Sequence, residues 1–302
     1  MLCSLPVLQE KIPNFDGCKQ ILSVGILKNL VKRSLSGIIY VALIVACVIL
    51  GGWWFNALLL LFTILGVVEF HRLVDKPVSE KTSVVPLVID LLASVSLILG
   101  MGYSLAFLAI FIVCLIVRMI AQLYIHDDAP PLVRLAYSYM GVFYIALPLG
   151  LLGFIMEMFG EDIGKGLLLT MFVMIWLNDT GAFLVGSSIG RHRLFPSISP
   201  KKSWEGAVGG VVFSIGAAFV AKYCFPLYFE QVEIVPLCVM GLIVGVLSIW
   251  GDLVESMIKR TLHVKDSGSL IPGHGGILDR IDSLLLVAPA VAVYFFIIFW
   301  CL

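Results

Sequence analysis

Residues Gly251 to Ser283, GDLVESMIKRTLHVKDSGSLIPGHGGILDRIDS, hold the densest set of reactive side chains in the chain. On a helix, Asp252, Glu255, Ser256, Lys259 and His263 fall at i, i+3, i+4, i+7 and i+11 and share one face, with Leu253, Val254, Met257 and Ile258 turned away. Asp279, Asp282 and Ser283 repeat the i, i+3, i+4 spacing at the head of the last apolar run. Two helix ends presenting carboxylates, joined by a Gly-rich turn, suit Mg²⁺, which takes hard oxygen ligands and is usually held by one or two carboxylates plus substrate phosphates. Lysines beside such a site offset phosphate charge. The plainer alternative is a salt-bridged loop. It has to account for so much charge in a chain that is 60% hydrophobic and 13% charged.

Two further clusters precede it. In NDTGAFLVGSSIGRH, Asn178 to His192, Phe183, Gly186 and Gly190 follow Asp179 at helical spacing. Close helix packing around one hydrogen-bonded Asp fits this pattern, and so does a functional carboxylate. In SISPKKSWEGAVGG, Ser197 to Gly210, Ser199 is expected to cap a helix whose first residue is Pro200. Free N–H groups at a helix N-terminus, with Lys201 and Lys202 beside them, suit a phosphate or pyrophosphate. An ordinary basic loop fits equally well. Gly206, Gly209 and Gly210 would let another backbone approach closely.

These clusters need a scaffold, and the composition names its class. A mean hydropathy of +1.06 and recurrent apolar runs of about 20 residues predict an all-α, polytopic membrane protein. Runs such as NALLLLFTILGVV do not alternate, which excludes a barrel. Nine spans are expected, at 36–52, 54–70, 84–102, 104–122, 135–156, 166–187, 206–225, 234–251 and 283–302. With the N-terminus in the cytoplasm, all of the 20 Lys and Arg residues but two, Lys165 and Lys222, fall on the cytoplasmic side. The polar loops 188–204 and 252–280 then share that face. The chain divides into a cytoplasmic segment 1–35, a transmembrane scaffold 36–165 and a catalytic transmembrane region 166–302. Within the first segment, 20–35 has the pattern of a basic amphipathic surface helix, and no secretory signal peptide is apparent. Trp53 and Trp54 suit a headgroup-level turn. Glu69 and Arg118, near span ends, are expected to snorkel outward, and Asp90 to find a hydroxyl or an arginine on a neighbouring helix. The seven cysteines lack metal or redox spacing and read as buried free thiols.

The stretch Ser256 to Asp282 resembles the signature of the phosphatidate cytidylyltransferases, also called CDP-diacylglycerol synthases. Ser-x-x-Lys-Arg, Lys-Asp, Pro-Gly-His-Gly-Gly and Asp-Arg-x-Asp are all present in that order. SPKKSWEG and the Asp179 region are also similar to the family, over residues 176–283 in all, whereas Gly190-Arg191 replaces its usual Gly-Lys pair. The resemblance implies transfer of a cytidylyl group from CTP to phosphatidate, giving CDP-diacylglycerol and diphosphate. It implies Mg²⁺ at Asp252 and Asp279, and it leaves a second, monovalent cation open. It implies an often dimeric, multi-pass protein of the plasma (inner) membrane with a cytoplasm-facing site, and no nucleic-acid partner. On that reading Asp252, Lys259, Asp279 and Asp282 are catalytic, and Asp179, Ser199, Lys201, Lys202, Arg260, His274 and Arg280 contact substrate. A transporter would need paired broken halves, and no internal symmetry is visible. The Asp-Gly-x-x-Ala-Arg pattern of CDP-alcohol phosphotransferases is absent. A cytidylyltransferase that builds a different lipid or isoprenoid intermediate stays compatible.

Overall fold

The structure, a computed structural model, describes residues 34–75, 84–125, 130–224, 226–229, 232–268 and 275–301. His274 and nearly all of the 1–35 segment, with most of its amphipathic stretch, lie outside the described residues. Helices dominate because apolar side chains recur without β-type alternation and a helix satisfies its own backbone groups. They are α1 (Ser34–Leu50), α2 (Gly52–Asp75), α3 (Val84–Gly102), α4 (Ala106–Gln122), α5 (Pro131–Gly160), α6 (Asp162–Ile189), α7 (Trp204–Cys224), the single turn α8 (Pro226–Phe229), α9 (Ile234–Thr261) and α10 (Leu278–Cys301). Among the described residues, seven helices are long and apolar enough to cross a membrane, while α1 and α4 are shorter apolar helices. The chain is therefore an all-α, polytopic membrane protein. Trp53 and Trp54 stand 75% and 62% exposed at the α1–α2 turn.

One departure from pure helix matters for the site. Between α6 and α7 the chain forms a small antiparallel hairpin, β1 (Arg193–Phe195) and β2 (Ser199–Ser203), with Arg193 opposite Ser203 and Phe195 opposite Ser199. The helix expected to start at Ser199 and Pro200 thus begins four residues later. Ser199 has the extended conformation that both a cap and a residue before proline adopt, and here it opens β2 rather than a helix. Ser203 supplies the cap, its hydroxyl accepting from the Gly206 N–H at 3.2 Å. The hairpin is anchored by Leu194, which buries itself with Ile249 and Leu253 of α9, and by Phe195, edge-on to Trp250 at 5.7 Å.

Close backbone contacts set the spacing of the C-terminal helices. A Cβ on Gly206 of α7 would lie 2.8 Å from the Ala182 carbonyl and 3.1 Å from Cα of Gly186 in α6. The seam of small residues read from the sequence is therefore the α6–α7 contact. The Asn178 amide, its nitrogen facing inward, donates to the Gly210 and Gly245 carbonyls at 3.2 Å each, tying α6 to α7 and α9. A Cβ on Gly251 of α9 would lie 2.7 Å from the Asp282 carbonyl and 2.8 Å from Cα of Ser283. This contact sets the α9 turn that carries Asp252 against the α10 turn that carries Asp282. Gly251→Val is expected to cost about 1–3 kcal/mol through overpacking, read as a lower unfolding midpoint in detergent. An unchanged midpoint would mean that α9 and α10 do not touch there.

The N-terminal helices enclose a polar network. Asp90 of α3 meets His71 Nε2 at 3.0 Å, accepts from Ser138 of α5, and lies 3.6 Å from Arg118 Nε. Arg118 also donates to the Ser138 hydroxyl at 2.7 Å and to Gln122 at 2.9 Å, while Arg134 pairs with Asp75. Asp90 thus has both partner types expected of it. Arg118 does not snorkel: it is 1% exposed. With a carboxylate, a hydroxyl and an amide converging on it inside the bundle, its guanidinium has no need of the surface.

Candidate active site

The C-terminal turns of α9 carry Asp252, Glu255, Ser256 and Lys259 on one face, as the spacing requires. His263 falls past the helix end, in the left-handed conformation (φ 55°), and does not join that face. α10 begins at Leu278, so Asp279 lies in its first turn and Asp282 one turn further on.

Two polar groups result. In the first, Lys202 reaches from β2 to Asp252, Nζ to Oδ2 2.7 Å, and donates to the Ile249 carbonyl at 3.2 Å. Ser256 donates to the other Asp252 oxygen at 3.2 Å. The polar loops 188–204 and 252–280 therefore meet at one end of the bundle, as their shared charge pattern predicted. In the second group, Lys259 Nζ bridges Asp279 at 2.6 Å and Glu255 at 3.1 Å. The other Asp279 oxygen accepts from Ser267 N at 3.1 Å, Ser267 Oγ at 2.9 Å and Gly276 N at 2.9 Å. Asp279 is thus held by four donors.

The groups adjoin. Gly251, next to Asp252, packs against the backbone of Asp282 and Ser283, and Asp179 and Asp282 line one cavity. Asp282 accepts from the Ser283 N–H at 2.6 Å. Asp179, Asp279, Arg280 and Asp282 line a cavity of about 280 Å³ between α1, α6 and α10, whose remaining wall includes Val41, Phe172, Ile175, Trp176 and Leu284. One part of the cavity is charged, Ser36 and Ser283 add hydroxyls, and much of the rest is apolar. Tyr40 of α1 fixes the rim by donating to the Arg280 carbonyl at 2.9 Å.

The other expected site residues are more peripheral. Lys201 is exposed on the hairpin and its carbonyl accepts from Arg193 at 3.1 Å. Arg260 is exposed at the end of α9, and Ser199 is half-buried in β2. Asp179 is exposed. Sequence reasoning missed Glu69. This α2 residue is 7% exposed and does not snorkel; it accepts from Ile277 N at 2.8 Å, from Leu278 N at 3.1 Å and from the Ser267 hydroxyl. A lone acid near the end of an apolar span was the one signal that pointed to it.

The donors suit a hard cation. Asp252 and Asp279 present carboxylate oxygens at this end of the bundle, with Lys202 on the first and Lys259 on the second, and Asp282 lies one turn beyond Asp279. Among the described residues, no three His, Cys, Asp or Glu side chains are grouped to enclose a metal. An ion held there would therefore complete its shell with water and phosphate oxygens, the habit of Mg²⁺.

The chain matches known proteins over most of its length. A model of the cytidylyltransferase family matches residues 31–298. The chain is 36% identical over 288 residues to a phosphatidate cytidylyltransferase of Synechocystis sp., covering 88% of this chain and 96% of that protein. Proteins of the same name from Haemophilus influenzae and Staphylococcus epidermidis are 36% and 39% identical over 171 and 155 residues, or 56% and 51% of this chain. Those two matches span 59% and 58% of the relatives' own lengths.

Proposed function

The chain belongs to the cytidylyltransferase family, and from that premise we propose that it condenses CTP with phosphatidate to give CDP-diacylglycerol and diphosphate. The amphipathic cavity carries this reading. Asp179, Arg280 and Asp282 share it with Val41, Phe172, Trp176 and Leu284, so a phosphate headgroup and the start of its acyl chains find matching surfaces in one space. The Lys202–Asp252 pair beside it offers a polar approach for a soluble nucleotide.

Both substrates are anions, and the chain's first task is to bring them together. Lys202, Lys259 and Arg280, with Lys201 and Arg260 at the rim, offset phosphate charge. A lipid phosphate oxygen attacks the α-phosphorus of CTP in line; the new O–P bond forms as the bond to the β-phosphate oxygen breaks, and diphosphate leaves. A phosphate monoester is already largely ionised near neutral pH, so no strong general base is required. Asp252 and Asp279, supported by Asp282, would hold Mg²⁺, which when bound supplies charge neutralisation on the phosphates. Since Lys259 sits on Asp279, ligation by Asp279 requires that ammonium to turn toward the phosphates.

The reading extends to topology. Nine crossings, with α1 and α4 included, put the hairpin and the α9–α10 loop on the cytoplasmic side of the plasma (inner) membrane, where CTP is available. A homodimer and a monovalent cation beside Mg²⁺ belong to the same proposal.

The test is purified protein with labelled CTP and phosphatidate, with and without Mg²⁺, followed for liponucleotide and diphosphate. Absence of both products with Mg²⁺ present overturns the proposal. Within it, Lys202→Ala is expected to raise the CTP concentration for half-maximal rate by about tenfold, the loss of one charge-assisted phosphate contact. Lys201→Ala, lacking the bond to Asp252, should raise it less. Equal effects would remove the distinction drawn between the two lysines.

A further inference from the structure

Glu69 lies in the half of the chain that the signature motifs do not reach. Its partners are 198 to 209 residues away in sequence. All three belong to the frame around Asp279. Ile277 and Leu278 immediately precede it at the start of α10, and Ser267 donates to Asp279 itself.

The need for such a partner is physical. The first N–H groups of a helix have no acceptor within the helix and normally rely on a capping side chain. At the head of α10 the preceding residue is Ile277, which has no side-chain acceptor. Glu69 replaces the missing cap from another helix: one carboxylate oxygen takes Ile277 N and the other takes Leu278 N. Its negative charge also meets the positive end of the helix dipole. The same carboxylate holds the loop after α9, because the Ser267 hydroxyl lies within hydrogen-bond reach of both Glu69 and Asp279. That hydroxyl has one proton for two carboxylates, so a change at Glu69 alters what Asp279 receives.

We infer that Glu69 is a positioning residue for the reaction: its carboxylate caps α10 and anchors Ser267, and so sets the orientation of Asp279 against Lys259. This rests on the cytidylyl-transfer reading above. It adds that α2, outside the signature region, is part of the catalytic apparatus without touching substrate.

The experiment compares the unaltered full chain with Glu69→Gln and Glu69→Ala in detergent. It measures initial rates against CTP at saturating phosphatidate and Mg²⁺, normalised to folded protein from the elution profile. Amide exchange over 275–283 is followed alongside. Removing a group that orients such a site lowers activity about 10–100-fold. Glu69→Ala is expected to lose that much kcat, with the KM for CTP within about twofold of the unaltered value. Glu69→Gln keeps one acceptor oxygen and is expected to fall between the two. In both variants the peptide containing Ile277 and Leu278 should exchange faster. If Glu69→Ala fails to fold, Glu69→Gln carries the comparison alone. Unchanged kcat per folded molecule overturns the inference, even with faster exchange, because the contact would then be structural only. Unchanged exchange also overturns it. An unaltered chain that makes no liponucleotide overturns the parent reading instead, and the positioning role with it; that arm separates the two failures.

Discussion

Asp279→Asn is expected to abolish CTP-dependent formation of liponucleotide while leaving the protein inserted and folded. The substitution is nearly isosteric, but it removes the charge that Lys259 approaches at 2.6 Å. It also sets an amide nitrogen among donors. One Asp279 oxygen faces Lys259, and the other faces Ser267 N, Ser267 Oγ and Gly276 N. Whichever way the Asn amide turns, its NH₂ meets N–H or ammonium groups that need an acceptor. If Asp279 also ligates Mg²⁺, the ligand is weakened as well. Losses of this kind amount to about 10²-fold or more in turnover, on the order of that for removing a preorganised electrostatic contact. Product assayed per folded molecule is the measure. Near-normal turnover would remove Asp279 from the chemistry.

The second large effect concerns stability. Arg118→Met is expected to destabilise the protein by about 1–3 kcal/mol, the cost of leaving buried polar groups short of a donor. Arg118 and Asp90 are 1% exposed, and both touch Ser138. Removing the guanidinium leaves Asp90 with His71 and Ser138 only, among the groups described around it. Adding Asp90→Asn should recover part of the loss, because the carboxylate that has lost one of its cations is then gone. Unfolding midpoints in detergent for the two single variants and the double variant measure the coupling. Additive losses would mean that the two groups do not interact. Activity per folded molecule is expected to stay close to normal in Arg118→Met, since Arg118 contacts Asp90, Ser138 and Gln122 and none of these pairs with Asp252 or Asp279.

Much of the site is legible in the sequence. Asp252, Glu255, Ser256 and Lys259 share a face because helical spacing demands it, and Asp279 and Asp282 open α10 where the apolar run begins. The glycines of SWEGAVGG announce a close helix contact, and Gly206 against Gly186 is that contact. Legibility ends where two local rules compete or where the partner is remote. Ser199-Pro200 satisfies a helix cap and an extended pre-proline residue equally well, and docking of Leu194 on Ile249 and Leu253 favours the hairpin. Glu69 and Arg118 each look like an isolated charge near a span end, a position from which a side chain usually reaches out.

The sequence by itself determined the class of the protein and the residue types at its reactive end. Hydropathy, helical period and a contiguous signature are local properties, carried by neighbouring residues whatever lies across the bundle from them. Only the tertiary structure decided which charge meets which: Lys202 on Asp252, Lys259 between Glu255 and Asp279, Glu69 at the head of α10. Such pairings depend on the rotation and depth of packed helices. Those are set by the shapes of side chains up to 209 residues apart, and no short stretch of sequence encodes them.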